Sequence, residues 1–219
     1  MMERRAPGVK VCGIQRVQDA VVAVELGAQA VGFIFWPGSV RFVDPERARE
    51  ISAALPAHIL RVGVFVDQPP AHVAEVARRV PLSAIQLHGS ESAAEYSASG
   101  CEIIKAFGVS DAFDSSALDA LPAQVTVLLD AHDPVRRGGT GRTIDWSIAA
   151  SVAARRRLIL SGGLTPKNVR EAVERVRPSM VDVSSGVETA PGIKDAVKLR
   201  AFFDALVPCA DGSVTRNGD

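Results

Sequence analysis

The run Met180-Val181-Asp182-Val183-Ser184-Ser185-Gly186-Val187-Glu188 decides how the chain is read. Its first half is a short apolar segment of strand type. Its second half, Ser184-Ser185-Gly186, is small enough to leave backbone N–H groups open to a ligand. A strand running into such a turn, with a helical turn behind it, makes an anion site. The same succession occurs earlier, where Leu158-Ile159-Leu160 runs into Ser161-Gly162-Gly163. Either alone is as readily an ordinary tight turn. As a pair closing a regular strand–helix alternation, they point to one phosphate held between the last two strands of a parallel barrel.

The alternation extends back to the start of the chain. Val9-Lys10-Val11 forms a short strand ending at Cys12-Gly13, and Val17, Val21 and Val24 recur at helical spacing until Gly27. The stretch 30–35 is a continuous apolar strand of the kind covered on both faces. Asp44-Pro45 is a helix start. Further strands are expected at 60–66, 84–87, 103–107, 125–129, 158–160 and 180–183. Helices are expected from Ala71, from Ser90 or Ser92 up to Gly100, and at about 115–121, then at 146–154, from Thr165-Pro166, and at 196–206. Eight such units in 219 residues predict an α/β chain folded as a single closed (β/α)8 TIM barrel with a parallel sheet. An open doubly wound sheet is the competing arrangement, but no GxGxxG follows the first strand. The barrel is expected to span 9–206, after an N-terminal extension over 1–8 and before a flexible C-terminal tail over 207–219.

Lys+Arg and Asp+Glu both number 25, so the formal net charge is zero. That gives no electrostatic case for nucleic acid or an acidic membrane surface. No apolar run approaches the roughly 20 residues that span a bilayer, and the start of the chain does not read as a signal peptide; the expected compartment is the cytoplasm. The three cysteines, Cys12, Cys101 and Cys209, are far apart, and the histidines are scattered. They show neither a disulfide framework nor metal-ligand spacing.

In a barrel of this kind the active site lies at the C-terminal ends of the strands. Those ends carry Cys12, Trp36 with Arg41 beyond it, Asp67, His88, Phe107 or Gly108, Asp130, Ser161 and Ser184. Cys12 and Asp130 stand out, because a thiol and a carboxylate facing one cavity can divide proton transfer between base and acid. A free cysteine is more often a small buried hydrophobe. A carboxylate directly after Val-Leu-Leu is harder to dismiss, since it should not be buried unpaired. Arg41 can fork onto a carboxylate, although a solvated loop arginine is the commoner case. His88 is either a ligand contact or a satisfied polar residue. Gly138-Gly139-Thr140-Gly141 reads as a flexible lid whose N–H groups help close over phosphate.

Lys10-Val11-Cys12-Gly13-Ile14, Gln86-Leu87-His88-Gly89, Leu128-Leu129-Asp130, Gly138-Gly139-Thr140-Gly141, Ser161-Gly162-Gly163-Leu164 and Asp182-Val183-Ser184-Ser185-Gly186-Val187-Glu188 occur in order, followed by Pro191-Gly192-Ile193-Lys194-Asp195. Over about 9–206 this set resembles the phosphoribosylanthranilate isomerases of tryptophan biosynthesis. The loop after the second strand departs from the family's Ser-Pro-Arg-Tyr and reads Ser39-Val40-Arg41-Phe42. The resemblance implies an Amadori rearrangement of a phosphorylated aminosugar, without metal or organic cofactor. By it, Asp130 would be the general acid at the furanose oxygen and Cys12, as thiolate, the base at the adjacent sugar carbon, with Lys10 helping to form the thiolate. Arg41 would bind the anthranilate carboxylate, and Asp182 would orient the ribose or the catalytic groups. The turns at Gly162-Gly163 and Ser185-Gly186 would hold the phosphate, with Gly139 and Gly141 closing over it. Monomer and homodimer both remain open. The competing readings are an epimerase, an indoleglycerol-phosphate synthase and a barrel that binds phosphate without catalysis. The synthase would want a lysine acid, and no carboxylate partner for Lys10 or Lys105 is evident in the sequence.

Overall fold

Eight short strands pair in parallel, each with its neighbour in sequence: β1 (Gly8–Cys12), β2 (Ala30–Ile34), β3 (Leu60–Phe65), β4 (Ala84–Leu87), β5 (Glu102–Val109), β6 (Thr126–Ala131), β7 (Leu158–Leu160) and β8 (Met180–Val183). β8 returns to β1 and closes the barrel. This is a computed structural model, and it describes residues 6–110, 113–131 and 144–207. The Gly-rich segment with Gly139 and Gly141, and all but the first residue of the expected C-terminal tail, lie outside the described residues.

Strand alternation divides the side chains into two cores. Val9, Val11, Val127, Leu129 and Val181 belong to the larger apolar cluster between sheet and helices. The alternate positions face the barrel interior, where Ala30, Val62, Ala84, Ile104, Leu128, Ile159 and Met180 form a smaller apolar plug. One step further along several strands the inward residue is no longer apolar: Ala84 gives way to Gln86, Leu128 to Asp130 and Met180 to Asp182, while β1 carries Lys10 and then Cys12. The barrel is therefore plugged at one end and polar at the C-terminal mouth.

Among the described residues six α-helices cover the sheet: α1 (Val17–Glu25), α2 (Pro45–Ala53), α3 (Pro70–Arg79), α4 (Trp146–Ala153), α5 (Val169–Val176) and α6 (Ala196–Leu206). Asp44 caps α2 by accepting from the Glu46 N–H, with Pro45 behind it as the sequence predicts. Asp195 caps α6 through the N–H groups of Val197 and Lys198.

Several boundaries differ from expectation. Gly8 already belongs to β1. β5 runs on to Val109, so Gly108 pairs with Asp130 inside the sheet instead of ending a strand. Neither Ser90 nor Ser92 caps an α-helix, because the segment Ala93–Ser99 is 3₁₀ and Ser92 makes no capping bond. Ser90 instead gives its N–H and Oγ to Asp67 Oδ1. Thr165-Pro166 forms a turn fixed by Asn168, whose Oδ1 accepts from the Thr165 N–H, and α5 starts at Val169. A short antiparallel hairpin, β9 (Glu188–Ala190) with β10 (Ile193–Lys194), follows β8 and lies outside the expected alternation.

Candidate active site

The mouth is built from the register of β1 against β8. Lys10 and Asp182 are register partners on these strands. Both point inward, and Lys10 Nζ donates to Asp182 Oδ2 at 3.0 Å with side-chain exposures of 0% and 6%. Burial works to lower the Lys10 pKa, but the Asp182 carboxylate and Cys12 outweigh it and the net direction is up. Burial also pushes the Asp182 carboxyl up, against the pull of Lys10. Asp182 Oδ1 is buried with no hydrogen-bond partner among the described residues.

Cys12 stands one inward step beyond Lys10, and Gly32 across the ladder makes room for it. A Cβ on Gly32 would lie 2.7 Å from Cys12 Sγ and 3.2 Å from Lys10 Cε. Burial pushes the Cys12 thiol up, while Lys10 and Lys194 pull it down and Asp182 adds to the rise.

Asp130 sits on β6, with Oδ1 accepting from the Ala131 N–H at 2.9 Å. His88 Nε2 faces Asp130 Oδ2 at 3.5 Å. Gln86 Nε2 lies 2.9 Å from His88 Nδ1, a hydrogen bond that holds the ring in place beside Asp130. Cys12, Arg41, His88, Asp130, Asp182 and the serines Ser161 and Ser184 line one cavity. The sulfur and the acid thus share a rim, and β7 and β8, which end at the two glycine turns, are adjacent in the sheet.

The first of those turns has Gly162 and Gly163 at φ of 89° and 61°, a region that favours glycine. In the second, a Cβ on Gly186 would collide with the Leu164 carbonyl oxygen. The amide N–H groups of Gly162, Gly163, Ser185 and Gly186 donate to no protein acceptor among the described residues.

Arg41 reaches the mouth past Gly13, where an added Cβ would come within 2.7 Å of Arg41 Cδ. Its Nε and Nη2 both donate to Glu188, at 2.9 and 2.8 Å. Lys194 Nζ donates to the same carboxylate at 2.7 Å. Glu188, Lys194 and Gln86 are the polar groups of this region that sequence reasoning missed. Their signal is weak: Glu188 meets Arg41 across 147 positions, Lys194 reaches Glu188 only once the β9–β10 hairpin forms, and Gln86 reads as one more residue of β4 until His88 is seen beside it. The same holds for the two lysines without an evident partner: Lys10 pairs with Asp182, and Lys105 with Glu91 at 3.1 Å. Among the described residues no cluster of His, Cys, Asp and Glu is suited to hold a metal ion, and no helix is long and apolar enough to cross a membrane.

Comparison with known proteins gives a consistent picture. The sequence model of a family described as N-(5'-phosphoribosyl)anthranilate isomerase matches residues 9–205. A protein of that name from Geobacter sulfurreducens is 52% identical over 197 residues, covering 89% of this chain and 96% of the relative. The crystal structure of the phosphoribosyl anthranilate isomerase of Thermotoga maritima superposes with a TM-score of 0.84 at 45% identity, over 91% of this chain and 98% of the other. A structure of such an isomerase in complex with reduced 1-(o-carboxyphenylamino)-1-deoxyribulose 5-phosphate gives a TM-score of 0.80 at 43% identity, with the same coverage.

Proposed function

The chain belongs to the N-(5'-phosphoribosyl)anthranilate isomerase family, and from that premise we propose that Cys12 and Asp130 divide its proton transfers. The reaction is the Amadori rearrangement of N-(5-phosphoribosyl)anthranilate to 1-(2-carboxyphenylamino)-1-deoxyribulose 5-phosphate, a step of tryptophan biosynthesis. Asp130 gives a proton to the furanose ring oxygen as the bond from that oxygen to the anomeric carbon breaks. The anomeric carbon becomes an iminium with the anthranilate nitrogen. Cys12, as thiolate, then takes the proton from the neighbouring sugar carbon, and the enolamine tautomerises to the ketone. The iminium and Lys10 offset the burial that disfavours the thiolate.

In this reading Arg41 binds the anthranilate carboxylate, and His88 and Asp182 contact the sugar. The turns at Gly162-Gly163 and Ser185-Gly186 hold the phosphate through their free amides. The enzyme works in the cytoplasm, as a monomer or homodimer. The observation that carries the assignment is the single cavity lined by Cys12, Asp130, Ser161 and Ser184. The test follows the loss of fluorescence of freshly made phosphoribosylanthranilate, with a chelator present. Cys12→Ala and Asp130→Ala are expected to fold normally and lose most turnover; wild-type turnover in either overturns its role.

A further inference from the structure

We infer that Glu188 is a positioning residue, which fixes Arg41 so that one edge of its guanidinium is always presented to the substrate carboxylate. The proposal rests on the reading of Arg41 given above and adds a residue to it. The geometry is that of a fork with two usable edges. Glu188 occupies the edge formed by Nε and Nη2, with Nε at 2.9 and 3.1 Å from the two carboxylate oxygens and Nη2 at 2.8 Å. Nη1 makes no hydrogen bond among the described residues, and Arg41 lines the cavity. A guanidinium can take a second carboxylate end-on through Nη1 and the remaining Nη2 hydrogen.

Glu188 is itself held. Lys194 Nζ donates to its Oε1 at 2.7 Å and to the Ser184 carbonyl oxygen at 3.2 Å, at the head of the turn proposed to bind phosphate. Lys198 Nζ donates to the Glu188 backbone carbonyl at 2.6 Å. The side chains of Glu188 and Lys194 are 4% and 0% exposed, so this scaffold is nearly dry. Two cations against one carboxylate leave the group with one positive charge in excess, which a ligand carboxylate would neutralise. Glu188 thus sets where that charge is offered, and ties the carboxylate end of the site to the phosphate end.

The test compares two ligands by calorimetry: reduced 1-(o-carboxyphenylamino)-1-deoxyribulose 5-phosphate and its anilino counterpart without the ring carboxylate. Wild type is expected to prefer the first by roughly tenfold or more, the worth of a charged hydrogen-bonded pair. Glu188→Gln should cut that preference about tenfold while binding the anilino ligand within about twofold of wild type. The sign is informative, because removing a negative charge would by Coulomb attraction alone tighten binding of the carboxylate. An unchanged or increased preference in Glu188→Gln overturns the proposal, and so does an equal weakening of both ligands, which a merely structural tether would produce. Arg41→Ala separates the two readings. If it keeps the wild-type preference, the carboxylate role of Arg41 fails; if it loses the preference while Glu188→Gln keeps it, only Glu188 fails. Should Glu188→Gln not fold, Glu188→Asp keeps the charge but withdraws it by one methylene. It must then lower the preference as well, and an unaltered preference there overturns the proposal.

Discussion

Replacing Lys10 with Met tests whether the barrel interior depends on the Lys10–Asp182 pair. At 3.0 Å two unit charges attract by about 5 kcal/mol at an effective dielectric constant near 20. That is not the expected loss, because Asp182 can escape its unpaired burial by taking up a proton. Starting from the ordinary carboxyl value of 3.8, holding a proton costs about 1.4 kcal/mol per pH unit, hence at most about 4 kcal/mol at pH 7 and at most about 2 kcal/mol at pH 5. Burial has already raised Asp182 in the wild type, which trims both figures. The expected destabilisation is therefore about 2–4 kcal/mol at pH 7, overlapping the roughly 3–5 kcal/mol seen when one partner of a buried pair is removed.

The sign follows from linkage. A carboxyl whose folded pKa lies above its unfolded value contributes stability that is fully present below the unfolded value and lost as pH rises through the folded one. Lys10→Met raises the folded value of Asp182 further, so the gap from wild type must widen as pH rises. Urea denaturation of both proteins at about pH 5 and about pH 7 reads this directly, and other groups cancel in the difference. The double variant Lys10→Met with Asp182→Leu should recover much of the loss, since it leaves no charge unpaired. A loss below about 1 kcal/mol at pH 7, or one that does not change between the two pH values, would refute the reasoning.

Gly32→Ala places a Cβ 2.7 Å from Cys12 Sγ and 3.1 Å from Cys12 Cα. It should cost about 1–3 kcal/mol by overpacking and, by moving the sulfur on the order of 1 Å, about a hundredfold in turnover; melting curves and the fluorescence assay check the two separately. Gly186→Ala drives a Cβ into the Leu164 carbonyl and should raise KM by reshaping the second turn, whereas an unchanged KM would remove that turn from the phosphate site. In a background with Cys101→Ser and Cys209→Ser, alkylation of Cys12 by iodoacetamide should reach half its limiting rate above pH 9.0, the ordinary thiol value, because burial holds the thiol protonated. Adding Lys10→Met should move that midpoint higher still, since Lys10 pulls it down; a downward move would contradict the assignment.

The barrel is legible because its signal is repetitive and local: short apolar strands, helical spacing, glycine stops. Asp44-Pro45 and Asp195 show the same locality, each capping a helix whose first turn follows it directly. Lys10 shows where locality ends. Between Val9 and Val11 it is the polar member of an alternating strand, and closure makes that side the interior and brings it to Asp182, 172 positions away. The partners of Lys105 and Arg41 are hidden in the same way: Glu91 lies 14 positions from the first and Glu188 lies 147 from the second. The 3₁₀ segment Ala93–Ser99 reads as a plain helix because one or two turns of either type share a polar start and a glycine stop. Cys12 and Asp130 are legible as candidates because strand ends can be counted, whereas Gln86 lies inside β4 and becomes visible only through His88.

A chain with equal numbers of acidic and basic residues has no net charge with which to gather a substrate that carries both a phosphate and a carboxylate. Recognition has to be local, and the mouth is built accordingly. The unpaired amides of the two glycine turns offer partial positive charge without adding a formal charge to the interior. The formal charges that are present come mostly in neutral pairs: Lys10 with Asp182, and Lys105 with Glu91. Among the described residues of the mouth, Asp130 faces only the His88 ring, while the Arg41–Glu188–Lys194 group holds one cation more than it has carboxylates. That excess lies beside Cys12, whose thiolate it also favours through Lys194. One unbalanced charge placed there can serve both the ligand's carboxylate and the base, in a site where every further buried ion would cost several kcal/mol.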